Sequence, residues 1–151
     1  IDAEANKKIV FQNRQVIIDR KIILIPKPFK PLPKSLEKLG KQESFGPWRV
    51  VRKDIDISSL KESSWKDCWL KGTMQLILPK GEYSLCSLNN NLKTWKNKKV
   101  SRLVADNKIP AYLKEVLPVV VKDGIVVGEF FLGSVVPCNQ APKESLSFFL
   151  E

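Results

Sequence analysis

The sequence predicts an α+β fold rich in short strands. Three observations predict it: β-branched clusters broken by short polar stretches, one clear hairpin signal, and two brief segments of helical periodicity. With 151 residues the chain is long enough to bury a core without disulfide or metal staples. Apolar residues make up 43% and charged residues 28%, a globular balance rather than a disordered one.

Ile9-Val10-Phe11, Val16-Ile17-Ile18 and Ile22-Ile23-Leu24-Ile25 read as three short strands, with Asp19-Arg20-Lys21 a polar turn between the last two. Pro26, Pro28, Pro31 and Pro33 then fix φ and remove donors, so residues 26–33 are expected to form a stiff connector. The same prolines also fit a ligand for an aromatic groove. Trp48-Arg49-Val50-Val51 and the run from Trp69 and Leu70 through Met74 to Leu78 predict further strands. Between them residues 54–66 are polar enough for a surface excursion, and Gly81 after Pro79-Lys80 marks a turn. This pattern divides the chain into a strand-rich extension with its connector, residues 1–47, and a main domain, residues 48–151.

Asn89-Asn90-Asn91 is a loop. After Lys98, the apolar residues Val100, Leu103 and Val104 recur at three- and four-residue spacing, which predicts a short helix with Asn107 as its C-cap. Pro110 opens a second short helix carrying Tyr112, Leu113 and Val116 on one face. Two β-rich runs, Leu117 to Val121 and Ile125 to Gly128, flank Asp123-Gly124 and form the hairpin signal. A turn over residues 137–142 precedes a last strand over 145–150.

The chain carries 26 basic and 16 acidic residues, a formal charge of +10, and such a field attracts polyanions. Charge alone fits a nucleic-acid partner and a solubilising surface alike. Cys68, Cys86 and Cys138 are odd in number and widely spaced, so buried thiols in a reducing, cytoplasmic compartment are expected. With no histidine and no Cys-x-x-Cys, no zinc site and no other metal is expected. No apolar run approaches the ~18 residues of a membrane span, and the first eight residues lack the apolar middle of a signal peptide. Because the chain opens at Ile1 and its one methionine is the internal Met74, an excised or processed piece is expected.

A catalytic constellation is hard to assemble. There is no histidine to activate a serine or cysteine, no Gly-x-x-x-x-Gly-Lys loop and no Gly-x-Gly-x-x-Gly after a strand, so no catalytic residue is assigned. Asp54 and Asp56 are a closely spaced acidic pair, and solvated loop acids are the simpler reading of them. The chemistry-bearing cluster is basic instead: Lys93, Lys96, Lys98, Lys99, Arg102 and Lys108, interrupted by Trp95 and the single acid Asp106. Lysines at this density suit phosphates, which they position without reading base identity. Trp95 either stacks on a base or packs on the sheet.

The stretch from Lys98 to Gly128 resembles the C-terminal domain of bacterial tRNA(Ile)-lysidine synthetase. There a lysine-rich helix leads into a Lys-Ile-Pro element, here Lys108-Ile109-Pro110, then a basic residue, here Lys114, then Leu117-Pro118 and a hydrophobic hairpin. The likeness covers residues 76–128. Lys80-Gly81-Glu82 stands where the family often has an Arg-x-Gly-Asp-like turn, and Lys114 where it usually has arginine; both keep the charge but not a bidentate fork.

The resemblance implies a β-rich α+β domain with an unusual β-sandwich and short helices, similar to a domain of phenylalanyl-tRNA synthetase. It also implies tRNA binding within an ATP-dependent ligase that attaches lysine to an anticodon cytidine. Its RNA-contacting set would be Lys80, Lys93, Trp95, Lys96, Lys98, Lys99, Arg102, Lys108 and Lys114. The Ser-Gly-Gly-x-Asp-Ser nucleotide loop of that enzyme is not in this sequence, so ATP and lysine would be handled by a separate catalytic domain, which with tRNA would be the partner. No cofactor is expected on this chain itself. The alternative is a non-catalytic interaction or dimerisation domain, homodimer included, with a solvated basic surface.

Overall fold

The computed structural model describes residues 7–12, 14–19, 22–24, 30, 32–33, 35–54, 71–88, 91–109, 111–129, 133–134 and 143–151. Among these the β-branched clusters form strands in three open sheets, joined by one α-helix and one 3-10 helix, a β-rich α+β architecture. The first sheet is an antiparallel meander of β1 (Lys7–Phe11), β2 (Arg14–Asp19) and β3 (Ile22–Leu24), as the sequence predicts.

The second sheet runs β12 (Gly133–Ser134), β11 (Ile125–Glu129), β10 (Pro118–Lys122), β8 (Ser84–Ser87) and β4 (Glu37–Lys38), with the two-residue β9 (Lys93–Thr94) parallel to β11. Asp123 and Gly124 both take positive φ, 51° and 77°, which gives the β10–β11 hairpin the turn that the Asp-Gly pair predicts. Val119, Val120 and Val121 are all buried, so β10 is covered on both faces rather than alternating.

The third sheet orders β5 (Gln42–Phe45), β6 (Trp48–Asp54), β13 (Lys143–Leu150) and β7 (Thr73–Pro79), all antiparallel. Here the apolar residues recur at every second position: Trp48 and Val50 of β6, Met74, Leu76 and Leu78 of β7, and Leu146 and Phe148 of β13 are buried on one face, while Ser145 and Ser147 of β13 are buried on the other. They share a single core with Leu85, the β10 valines, Val126 and Val127 of the second sheet, and with Val100 and Val104 of α1 (Val100–Asp106). Gly128 of β11 lets the two sheets approach: a Cβ there would lie 2.9 Å from Leu76 Cδ1. The 3-10 helix Ala111–Val116 is pinned to this core by Trp48, whose indole N–H donates to the Val116 carbonyl at 2.6 Å.

The division at residue 48 does not coincide with a break in the pairing. Strand β4 pairs with β8 and β5 with β6, and Leu32, Leu39 and Phe45 belong to the common core. Both strands lie at sheet edges and are exposed apart from Phe45, so they lack the apolar alternation that marks a strand in sequence. Of the connector, Lys30, Leu32 and Pro33 are described. The Arg20-Lys21 turn, Trp69, Leu70, Asn89, Asn90, Pro110, Asp56, Cys68, Cys138, the excursion beyond Asp54 and the turn over 137–142 lie outside the described residues.

One ion pair closes the core where β7 passes to β8. Glu144 continues the inward face of β13 beyond Leu146 and is 1% exposed, and Arg52 continues that of β6 beyond Val50. The guanidinium grips both carboxylate oxygens, through Nε to Oε2 and through Nη2 to Oε1 at 2.7 Å. It also donates to the Gly81 carbonyl, while the Gly81 N–H donates to Glu144 Oε1 at 3.2 Å. Beside it the Tyr83 hydroxyl donates to the Pro79 carbonyl, and the Tyr83 ring lies 5.8 Å from the guanidinium carbon. The guanidinium, the carboxylate and both Gly81 backbone groups thus bond one another, which is what a charge withdrawn from water requires. Glu144→Gln leaves Arg52 without its counter-charge and is expected to destabilise by about 3 kcal/mol, whereas Arg52→Leu with Glu144→Leu recovers most of that loss. Urea midpoints of the three proteins check this, and a single variant as stable as the parent would contradict it.

Candidate nucleic-acid interface

Residues 93–108 form one continuous turn-and-helix unit mounted on the second sheet. Lys93 and Thr94 pair with Ile125 and Val126, and Lys93 bridges to Lys99. The Thr94 N–H donates to the Lys98 carbonyl at 2.9 Å, and the Asn97 N–H returns to the Thr94 carbonyl at 2.8 Å. Asn97 turns the chain at φ 57°, a left-handed conformation that asparagine tolerates. Thr94 and Val100 therefore sink into the protein, and Lys93, Trp95, Lys96, Lys98 and Lys99 face solvent.

The helix α1 extends the same surface. Val100 and Val104 are buried, Arg102 is exposed, and Asn107 is the C-cap that the sequence predicts, its side-chain amide donating to the Leu103 carbonyl at 2.8 Å. The Lys108 N–H bonds the Ala105 carbonyl and the Ile109 N–H bonds the Val104 carbonyl, the paired pattern of a Schellman motif, with Ile109 and Val104 in the core. Lys108 occupies the left-handed position of that motif at φ 55°, where glycine is the usual residue. A lysine is thus held exposed at a backbone position that opposes it.

Lys93, Lys96, Lys98, Lys99, Arg102 and Lys108 have no carboxylate partner among the described residues. Among the described residues no ion pair neutralises them. Trp95 keeps 44% of its surface exposed, with the Lys96 ammonium 5.0 Å from the ring centroid, so it lies at the surface among the lysines rather than inside the sheet packing. A flat ring and a cation presented together suit an unpaired base beside its phosphate.

The other two expected contacts lie on separate elements. Lys114 is half-buried in the 3-10 helix, next to Glu115, whose carboxylate pairs with Lys8 of β1 at 3.2 Å. Lys80 stands on the β7–β8 turn, paired with Asp54 at 2.9 Å. That hydrogen bond and the Lys80 charge hold the Asp54 carboxyl below the usual carboxylate range, so Asp54 stays ionised near neutral pH and offers no proton for acid catalysis. Burial pushes the Cys86 thiol up, which makes it a packing group rather than a nucleophile. Among the described residues no three histidine, cysteine or acidic side chains gather as a metal site, and no helix is long and apolar enough to cross a membrane.

Sequence reasoning missed four basic residues, Lys38, Lys41, Arg52 and Lys53, which meet Lys80 around a cleft between the β4–β5 region and β6. They are far apart along the chain, and only strand register brings them together. Neither a protein-family model nor a curated protein matches the chain.

Relieving the left-handed position at the end of α1 has a measurable sign. Lys108→Gly is expected to raise stability by roughly 0.5–1 kcal/mol and Lys108→Val to lower it, because glycine accepts this φ and a β-branched residue opposes it most. Thermal unfolding of both variants checks this; a Lys108→Gly protein less stable than the parent would count against the strain.

Proposed function

We propose that the protein is a tRNA-binding module of a larger ATP-dependent ligase of the tRNA(Ile)-lysidine synthetase type, with the chemistry carried out elsewhere in that enzyme. The observation that carries this reading is the basic unit of residues 93–108, in no ion pair among the described residues: five lysines, one arginine and an exposed tryptophan on a turn and helix anchored by Thr94, Val100, Val104 and Ile109. The resemblance in residues 76–128 supports the same partner and the cytoplasmic setting in which tRNA is modified. Lys93, Lys96, Lys98, Lys99, Arg102 and Lys108 contact phosphates, Trp95 stacks, and Lys80 and Lys114 extend the footprint. ATP and lysine bind the catalytic domain, and this module positions tRNA for it.

A second reading rests on a different observation. The first sheet leaves Ile9, Val10, Phe11 and Ile23 exposed, so a protein partner, the catalytic domain or a second copy, is a fitting alternative for that face.

If four to six phosphates are neutralised, a plot of log affinity against log salt has a slope of roughly −3 to −5. Lys93→Ala, Lys96→Ala, Lys98→Ala and Lys99→Ala combined flatten it by about 0.9 for each phosphate contact removed. Lys108→Gly weakens tRNA binding although it does not weaken the fold. Filter binding or fluorescence anisotropy at several salt concentrations measures both; tRNA affinity indifferent to these lysines would favour the interaction-domain reading, as would self-association that survives high salt.

A further inference from the structure

We propose that Lys122 and Ile125 of the β10–β11 hairpin belong to the RNA-binding surface, with Lys122 contacting phosphate; this rests on the tRNA reading above and extends it. A bound strand then crosses from the turn before α1 over β9, β11 and β10 toward the β7–β8 turn. Neither residue lies in the contiguous basic run, and strand register alone brings them to it. Lys99 bridges to Lys93, Lys93 pairs with Ile125, and Ile125 pairs with Lys122. Paired residues of neighbouring strands share a face, so these four side chains form one row, and all four are exposed. The adjoining row of Val121, Val126 and Thr94 is buried, as the alternation of a strand requires.

The exposed row carries charge that the fold leaves unanswered. Lys93 and Lys99 stand directly opposite each other, a like-charge pairing that costs stability in the free protein. None of Lys93, Lys99 and Lys122 makes an ion pair among the described residues. Asp123, next to Lys122 in the chain, turns the hairpin at φ 51° and makes no ion pair with it. Adjacent strands lie about 4.8 Å apart, so the backbones of Lys93 and Lys122, two strands apart, stand roughly 10 Å from each other. Each strand of a nucleic-acid duplex carries a charge about every 3.4 Å of axis, so that span covers about three phosphates. Cations spread along a line match an extended polyanion rather than a single small anion.

Ile125 and Lys122 add different chemistry to the row. Ile125 is 41% exposed between two lysines and offers an apolar step to a ribose or a base face. Lys122 links the row to the turn that carries Lys80. Its ammonium lies 5.9 Å from the Tyr83 ring centroid and 3.2 Å from where a Cβ on Gly81 would stand. Lys80 is therefore joined to the basic unit through Lys122, which, unlike Lys80, has no carboxylate partner among the described residues.

The test compares Lys122→Gln with Lys71→Gln, which removes the same charge from an exposed residue at the opposite end of β7 from Gly81. Anisotropy of a labelled tRNA transcript is measured at several salt concentrations, and thermal midpoints separate a lost contact from a lost fold. Lys122→Gln is expected to lower affinity and to flatten the slope of log affinity against log salt by about 0.9, and Lys71→Gln to leave the slope as in the parent. Ile125→Glu, which sets a carboxylate in the middle of the row, is expected to weaken binding more than Lys122→Gln does. A Lys122→Gln protein that binds like Lys71→Gln, while the combined Lys93, Lys96, Lys98 and Lys99 variant binds weakly, would overturn the extension over the hairpin and leave the tRNA reading standing. No tRNA binding by the parent would overturn that reading, and the extension with it.

Discussion

The contact on which most of the structure depends is the pair between Arg52 and Glu144. Two charges stand at the end of an otherwise apolar sheet face, and they are tolerable there because each is hydrogen-bonded: the carboxylate by the guanidinium and the Gly81 N–H, the guanidinium also to the Gly81 carbonyl. The pair ties the end of β6 to the start of β13 and clamps the turn by which the chain leaves the third sheet for the second. Tyr83 and β8 follow at once, and β8 then pairs with β10. The packing of the second and third sheets and the wall of the cleft thus share one polar anchor.

From that anchor the basic unit acquires its rigidity indirectly. Strand β10 holds β11, β11 holds β9, and β9 begins the turn that carries the exposed lysines and Trp95 into α1. Charged side chains on a free loop would lose more conformational entropy on meeting a phosphate backbone than the same side chains on a fixed frame. The left-handed Lys108 fits this economy. The motif that ends α1 would be satisfied more cheaply by glycine, and lysine places a further cation at the rim of the same surface.

Much of this was legible in the sequence where local rules decide the outcome. The strands over Ile9 to Leu24, the Asp123-Gly124 hairpin, the short helix from Val100 and its Asn107 cap all follow from periodicity, β-branching and turn chemistry. What pairing across long separations decides was not legible. Strands β4 and β5 carry little apolar signal, because edge strands need none, so nothing local joins the residues before Trp48 to the core that Leu32, Leu39 and Phe45 help to fill. Glu144 looks like any charged residue near a strand end until register sets it opposite Leu78 and diagonal to Arg52. The basic cluster is contiguous and hence visible, whereas the cleft joins Lys38 and Lys41 to Lys53 and Lys80 only through the fold. Trp95 could not be placed from composition alone, since both stacking and packing suit a tryptophan in a lysine-rich turn.

If the turn and helix of residues 93–108 meet RNA as proposed, they do so as a preformed surface. Amide chemical-shift mapping by NMR during a tRNA titration addresses it most directly. Perturbations are then expected to concentrate at Lys93 to Lys99, Arg102 and Lys108 and in the Trp95 indole N–H, with the buried amides of β6, β7 and β13 unmoved. Perturbations confined to β1, β2 and β3, or none at all at saturating tRNA, would contradict it.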